Sequence, residues 1–156
     1  MTIPLPALLH VGIVVPDMDS AATDFERRWG LKTFDQQEMT FPNSIYKGEP
    51  TTINATYGFI RSGASEVELI EPGEGVSPYS DFLAEQGEGI HHLAYIVDAI
   101  DTYLDQIRAA GHEPRLLLDA PIPEDGRFAY VEGVAVGAIV ELIELPSSMK
   151  GEFPTG

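Results

Sequence analysis

His10-Val-Gly-Ile-Val-Val-Pro16 leads through a turn into Asp19-Ser-Ala-Ala-Thr-Asp-Phe-Glu-Arg-Arg-Trp29-Gly30. The same order of events returns at His92-Leu-Ala-Tyr-Ile-Val-Asp98, followed by Asp101-Thr-Tyr-Leu-Asp-Gln-Ile-Arg-Ala-Ala110-Gly111. Each copy opens on a histidine, runs as a short β-rich stretch, turns, and continues as an amphipathic helix. Asp19 and Asp101 are suited to accept the free amide protons of a first helical turn, and Gly30 and Gly111 to take the positive φ that ends a helix. Ala22, Phe25 and Trp29, and likewise Tyr103, Leu104 and Ile107, recur at helical spacing, which predicts the faces laid against a sheet.

Each copy also closes on nearly the same strand, Val67-Glu-Leu-Ile-Glu-Pro72 in the first and Val140-Glu-Leu-Ile-Glu-Leu-Pro146 in the second. A duplicated β-α-β-β-β unit is the simplest architecture with this order. It predicts an α+β fold, one domain over 1–156, in which two repeated βαβββ modules (about 8–72 and about 90–146) form a cupped mixed sheet. Between them, Ser77-Pro-Tyr-Ser-Asp-Phe-Leu-Ala-Glu-Gln-Gly87 predicts a linker helix over about 77–87, capped by Ser77, with Pro78 in its first turn and Tyr79, Phe82 and Leu83 on its apolar side. Gly63 marks a hairpin turn between Thr51–Arg61 and Ser65–Glu71. Phe41 to Glu49, with Pro, Asn, Gly and two aromatics, reads as a long loop or lid, and the tail from Ser147 onwards as loose.

The composition narrows the functions. The chain has 156 residues, enough for a sizeable core. Its 25 acidic against 9 basic side chains give a net charge of −16, which repels phosphate backbones and anionic membrane surfaces. No nucleic-acid or membrane partner is therefore expected. An anionic substrate would need a local basic patch, for which Lys47, Arg61, Arg115 and Arg127 are nearly all the material. The absence of cysteine removes thiolate nucleophiles, zinc–thiolate and iron–sulfur sites. Met1 to Val15 lacks the basic start and small-residue cleavage site of a signal peptide, and no run of about 18 apolar residues exists. A cytoplasmic location is the expectation.

Chemistry enters through the strands. Side chains alternate across a strand, so His10, Gly12 and Val14 share one face, as do His92, Ala94 and Ile96. Glu68 shares a face with Ile70, and Glu141 with Ile143; Glu71 and Glu144 read as solvated-face residues. Gly12 and Ala94 are small and leave room beside the imidazoles. Glu141 follows the most apolar run in the chain, Val134-Ala-Val-Gly-Ala-Ile-Val140. A carboxylate buried there costs several kcal/mol, roughly, unless it is paired or metal-bound. Two imidazoles and two carboxylates at equivalent places in a repeat suit one divalent cation: Zn, Co, Ni, Mn or Fe(II).

These residues together resemble the vicinal oxygen chelate superfamily, the glyoxalase/bleomycin-resistance/dioxygenase fold, and within it methylmalonyl-CoA epimerase-like proteins. The resemblance runs from Leu9 to Leu145. It is carried by Leu9-His-Val-Gly-Ile-Val-Val-Pro-Asp17, Val67 to Pro72, Gly89-Ile-His-His-Leu-Ala94 and Gly137-Ala-Ile-Val-Glu-Leu-Ile-Glu144. It implies metal ligands at His10, Glu68, His92 and Glu141, with His91 turned to the opposite face in a structural role. It also implies an isomerase or epimerase moving a proton alpha to a carbonyl or thioester through a metal-stabilised enolate, on a small-molecule substrate that includes acyl-CoA among its candidates. Glu141 is then one base, Glu49 a candidate for the second, and the protein a homodimer. Epimerases carry a His-Pro-Lys segment before the last strand; Phe128-Ala-Tyr-Val-Glu-Gly133 stands there instead, so a phosphate contact through that lysine is not carried over. A glyoxalase-type lyase acting on a glutathione adduct and a non-catalytic small-molecule-binding protein are the alternatives on this fold. Binders of that kind lose the ligands, and here all four positions are filled.

Overall fold

A computed structural model describes residues 4–135 and 137–152. Strand β1 (His10–Val14) turns into helix α1 (Met18–Trp29), followed by β2 (Thr33–Tyr46), β3 (Glu49–Ser62) and β4 (Ser65–Pro72). Helix α2 (Pro78–Gln86) then leads to β5 (Gly89–Val97), α3 (Ile100–Ala109), β6 (Arg115–Ile122), β7 (Gly126–Ala135) and β8 (Ala138–Glu144). The β-α-β-β-β order occurs twice, with α2 between. The strands close in the order β1-β4-β3-β2-β6-β7-β8-β5, so each half contributes four adjacent strands. The halves meet along the antiparallel β1–β5 pair and across a β2–β6 seam two residue pairs long.

Helices α1 and α3 pack outside the sheet, while α2 contributes Tyr79, Phe82 and Leu83 to the aromatic interior. Helix α1 lays Met18, Ala21 and Phe25 against Ile60 and Leu69, and α3 lays Ile100, Leu104 and Ile107 against Ala129, Val131, Val140 and Leu142. Inside, Tyr46, Tyr57, Tyr79, Phe128 and Tyr130 gather with Val14, Ile53, Ile70 and Leu118. Helix α2 starts as its sequence predicts: Ser77 and Ser80 form a reciprocal capping box, and Pro78 sits in the first turn. Gly63, at φ 65°, makes the β3–β4 turn.

Several local expectations need correction. Phe41 to Glu49 is not a lid. Phe41 to Tyr46 continues β2 and pairs with β3, and the turn is confined to Lys47 and Gly48, both at positive φ. Tyr46 Oη and Lys47 Nζ each donate to Asp81 Oδ2 at 2.8 Å, tying this hairpin to α2. The tail is not loose at its start. Ser147–Met149 forms a 3₁₀ turn whose Ser147 N donates to Asp125 Oδ1 at 2.7 Å; residues 153–156 lie outside the described residues. Trp29 is 73% exposed, because the patch packed under α1 takes in Phe25 and does not extend to the last turn.

The helix starts also differ from expectation. Asp17, not Asp19, caps α1 by accepting from Ser20 N at 2.7 Å, and the N-cap of α3 is Ala99, which offers no side-chain acceptor. The second glutamate of each repeated closing strand supplies the missing acceptor. Met18 N donates to Glu71 Oε2 at 2.6 Å, and Ile100 N donates to Glu144 Oε2 at 3.0 Å. Glu71 and Glu144 are therefore helix caps on the outer face of the sheet, not solvated bystanders, and a carboxylate there also complements the helix dipole.

Candidate metal centre

Strand register builds the site. Across β4, β1 and β5, Glu68, Gly12 and His92 form one row of partners. Across β1, β5 and β8, His10, Ala94 and Glu141 form the next. The rows lie two residues apart on the same strands, so their side chains share the inner face. They are related as the two halves are: in each, a carboxylate and an imidazole flank a small residue. The need for that small residue is steric. A Cβ on Gly12 would lie 2.1 Å from His92 Cε1, so the imidazole occupies the space a side chain would fill.

The four polar side chains converge. His10 Nε2 and His92 Nε2 are 3.1 Å apart. Glu141 Oε2 lies 3.0 Å from His10 and 3.1 Å from His92, and Glu68 Oε2 lies 3.3 Å from each. One donor atom from each residue falls within 4.8 Å of all the others. All four residues are buried; His92 has no exposed surface and the others 4–6%. Ligands about 2.0–2.2 Å from a common cation stand about 3 Å apart when adjacent, which is the spacing found here. With neutral imidazoles the cluster carries two buried negative charges, and a divalent ion neutralises them. Donor set, spacing and charge all fit such an ion.

The protonation balance shows the same strain on the bare protein. Burial acts to lower the His10 pKa, but the Glu68 and Glu141 carboxylates outweigh it and lift His10 from 6.5 to about 10. His92 is raised against its burial by the same two groups. Burial pushes Glu141 and Glu68 upward, yet the facing imidazoles hold both below the usual carboxylate range. Without a cation, protons on the imidazoles take its place.

His91 departs from the sequence reading. The β1–β5 register slips between Gly12 and Ile13: Gly12 faces His92 while Ile13 faces Ile90, leaving His91 as an extra, bulged residue. His91 is therefore not turned to an opposite face. It is buried, with its ring edge-on to Tyr79, Phe82 and Tyr130, and its Nδ1 lies 3.0 Å from His92 Nδ1. Burial, then the neighbouring His92 charge, pull its pKa down to about 3. A neutral His91 accepts from His92 Nδ1–H and leaves the His92 Nε2 lone pair facing the cluster, the role of the outer partner of a ligating histidine. Strict alternation along β5 gives no sign of this, because a bulge interrupts it.

The cluster opens on a cavity of about 350 Å³, walled by Met39, Phe41, Phe59, Phe128, Ile143 and Met149, with His10, Glu68 and Glu141 at its polar end. Among the described residues no lysine or arginine lines it. Lys47 pairs with Asp81, Arg61 with Glu66, Arg115 with Glu132, and Arg127 with Asp119 and Asp101. Glu49 is not brought to the cluster. It is exposed beside the Lys47–Gly48 turn at the start of β3 and does not line the cavity.

Residues 9–130 match the family model described as the Glyoxalase/Bleomycin resistance protein/Dioxygenase superfamily, and the chain belongs to that family. Among curated relatives, the ethylmalonyl-CoA/methylmalonyl-CoA epimerase of Cereibacter sphaeroides is 34% identical over 106 residues, covering 67% of this chain and 70% of that protein. The uncharacterized protein YqjC of Bacillus subtilis is 28% identical over 140 residues, 86% of this chain and 89% of its own length. The crystal structure of methylmalonyl-CoA epimerase from Mycobacterium tuberculosis has the same fold, with a TM-score of 0.66 at 23% identity, covering 93% of this chain and 91% of that one. No helix among the described residues is long and apolar enough to cross a membrane.

Proposed function

We propose that the protein is a divalent-metal-dependent isomerase or epimerase that moves a proton alpha to a carbonyl or thioester of a small substrate. The observation that carries this reading is the convergence of His10, Glu68, His92 and Glu141, three of which face a cavity walled mostly by apolar and aromatic side chains. A cation held there supplies Lewis-acid polarisation of the substrate's paired oxygens, which acidifies the adjacent C–H. The residues supply the rest. Glu141 turns Oε2 to both imidazoles, and among the described residues its Oε1 has no hydrogen-bond partner. In this reading Oε1 takes the alpha proton, and an epimerisation is completed when an acid reprotonates the enolate on its opposite face. Phe41, Phe59, Phe128 and Met39 keep water from the reacting carbon and hold the substrate's apolar part.

The family membership and the 34% identity to an acyl-CoA epimerase support this class of reaction and make an acyl-CoA the first substrate to test. The test is deuterium wash-in. Metal-loaded protein is incubated with methylmalonyl-CoA and ethylmalonyl-CoA in heavy water, and alpha exchange is followed by mass spectrometry. Exchange that disappears in Glu141→Gln is the expected result. Loaded protein that exchanges neither thioester would refute the acyl-CoA reading.

A further inference from the structure

Three tyrosines from different elements meet inside the same cavity, and the cation cluster gives them no use. Tyr57 comes from β3, Tyr79 from α2 and Tyr130 from β7, and all three are at most 3% exposed. Tyr57 Oη donates to Tyr79 Oη at 3.0 Å, and Tyr79 Oη and Tyr130 Oη are 2.7 Å apart. All three line the cavity that holds His10, Glu68 and Glu141. Tyr130 also packs on the His92 ring, with centroids 4.8 Å apart and planes at 31°, and pairs with Glu141 across the β7–β8 hairpin.

Counting protons exposes an unused donor. Three phenols carry three O–H protons, and two links consume two of them. No further partner of these hydroxyls is found among the described residues. A buried donor left unmade costs about 1–3 kcal/mol, and retaining three hydroxyls in an apolar wall where phenylalanine would pack as well calls for an acceptor from outside the chain.

We propose that Tyr57, Tyr79 and Tyr130 form a substrate-positioning anchor that donates one hydrogen bond to an additional oxygen of a ligand seated on the cation cluster. The proposal deepens the metal-enzyme reading above and rests on it. The substrate class follows from the cavity. It is a compact molecule with a vicinal pair of oxygens for the cluster, one further acceptor oxygen for the tyrosines, and an otherwise apolar body. The part inside the cavity carries no phosphate, because none of the chain's described basic residues reaches it. Because Tyr57 already donates to Tyr79, the spare proton sits on Tyr79 or Tyr130, and an acceptor held beside these two hydroxyls sets which face of the adjacent carbon meets Glu141.

Cobalt-loaded protein titrated with hydroxamates tests this without knowledge of the natural substrate. A hydroxamate supplies the paired oxygens, and binding is read from the cobalt absorption bands. The probes are benzohydroxamate and its ring-acetyl derivatives, which place one added carbonyl oxygen ortho, meta or para. The wild-type protein is expected to bind at least one acetyl probe about tenfold more tightly than benzohydroxamate. The double variant Tyr79→Phe/Tyr130→Phe removes both hydroxyls that can hold the spare proton and should erase that preference, whereas Tyr57→Phe, whose proton is already given to Tyr79, should keep it; benzohydroxamate binding and cobalt uptake are expected within about twofold of wild type in both. Tyr57→Phe is the matched control for a lost hydroxyl, and unchanged cobalt uptake reports an intact site. Normal cobalt and hydroxamate binding with no added-oxygen preference, or with a preference that survives Tyr79→Phe/Tyr130→Phe, would overturn the anchor alone. Failure of the wild-type protein to take up cobalt would overturn the metal reading and the anchor together.

Discussion

Glycine at position 12 shapes the proposed metal site without offering a ligand atom. His92 lies where the Gly12 side chain would be, so Gly12→Ala must push the imidazole off the common point. Overpacking of this kind costs about 1–3 kcal/mol, so cation affinity should fall roughly 10- to 100-fold. A zinc competition titration checks it, and an unchanged affinity would show that the ring does not depend on that gap. His91→Phe removes the acceptor for His92 Nδ1–H while keeping an aromatic ring, and is expected to weaken cation binding about tenfold or more. Protonation gives a third outcome. His10 is lifted from 6.5 to about 10, so its contribution to the stability of the metal-free protein is complete below pH 6.5 and is lost as pH rises toward 10. The same proton competes with the cation. Cobalt affinity should therefore rise with pH between 6.5 and 8.5, about tenfold per unit if one proton is displaced, while the metal-free protein loses thermal stability over that range. An affinity flat across these two units would contradict the placement of that proton.

Elements carry their own division of labour, seen in the repeated Val-Glu-Leu-Ile-Glu segments. The first glutamate of each faces the cluster, and the second, three residues on, turns outward to cap the helix of its own half. Glu144→Ala should cost about 1 kcal/mol, a fall of roughly 2–4 °C in Tm, with cation affinity unchanged. Glu141→Ala should abolish cation binding instead. A Glu144→Ala variant that loses the cation would mean the two glutamates are not separated in this way. The inner glutamates were legible in the sequence because a repeat, read with strand alternation, selects the same face twice. The caps were not, since their partners, Met18 and Ile100, lie about 50 residues away in the chain. Pro42 and Asn43 carry turn chemistry, which makes Phe41–Tyr46 look like a loop in sequence; the sheet absorbs them as an irregularity between Phe41 and Ser44. His91 escaped because alternation fails at a bulge. The tyrosine cluster was partly within reach, as Tyr130 sits opposite Glu141 once β7 and β8 are paired, but Tyr79 arrives on a helix whose docking no local pattern reveals.

The molecule as a whole places its site at the join of its two halves. His10 and Glu68 come from the first, His92 and Glu141 from the second, and the β1–β5 pair holds them together. A cation bound there joins both halves, and because it binds only the folded chain it stabilises the fold by mass action, about 2.7 kcal/mol at a free concentration 100 times Kd. The most direct measurement of the four-ligand centre is metal content by mass spectrometry after equilibration with cobalt and gel filtration. One cobalt per chain is expected in the wild-type protein, and less than a tenth of that in His10→Ala and in His92→Ala. Wild-type protein emerging without cobalt, or histidine variants retaining it in full, would contradict the centre on which the proposed chemistry depends.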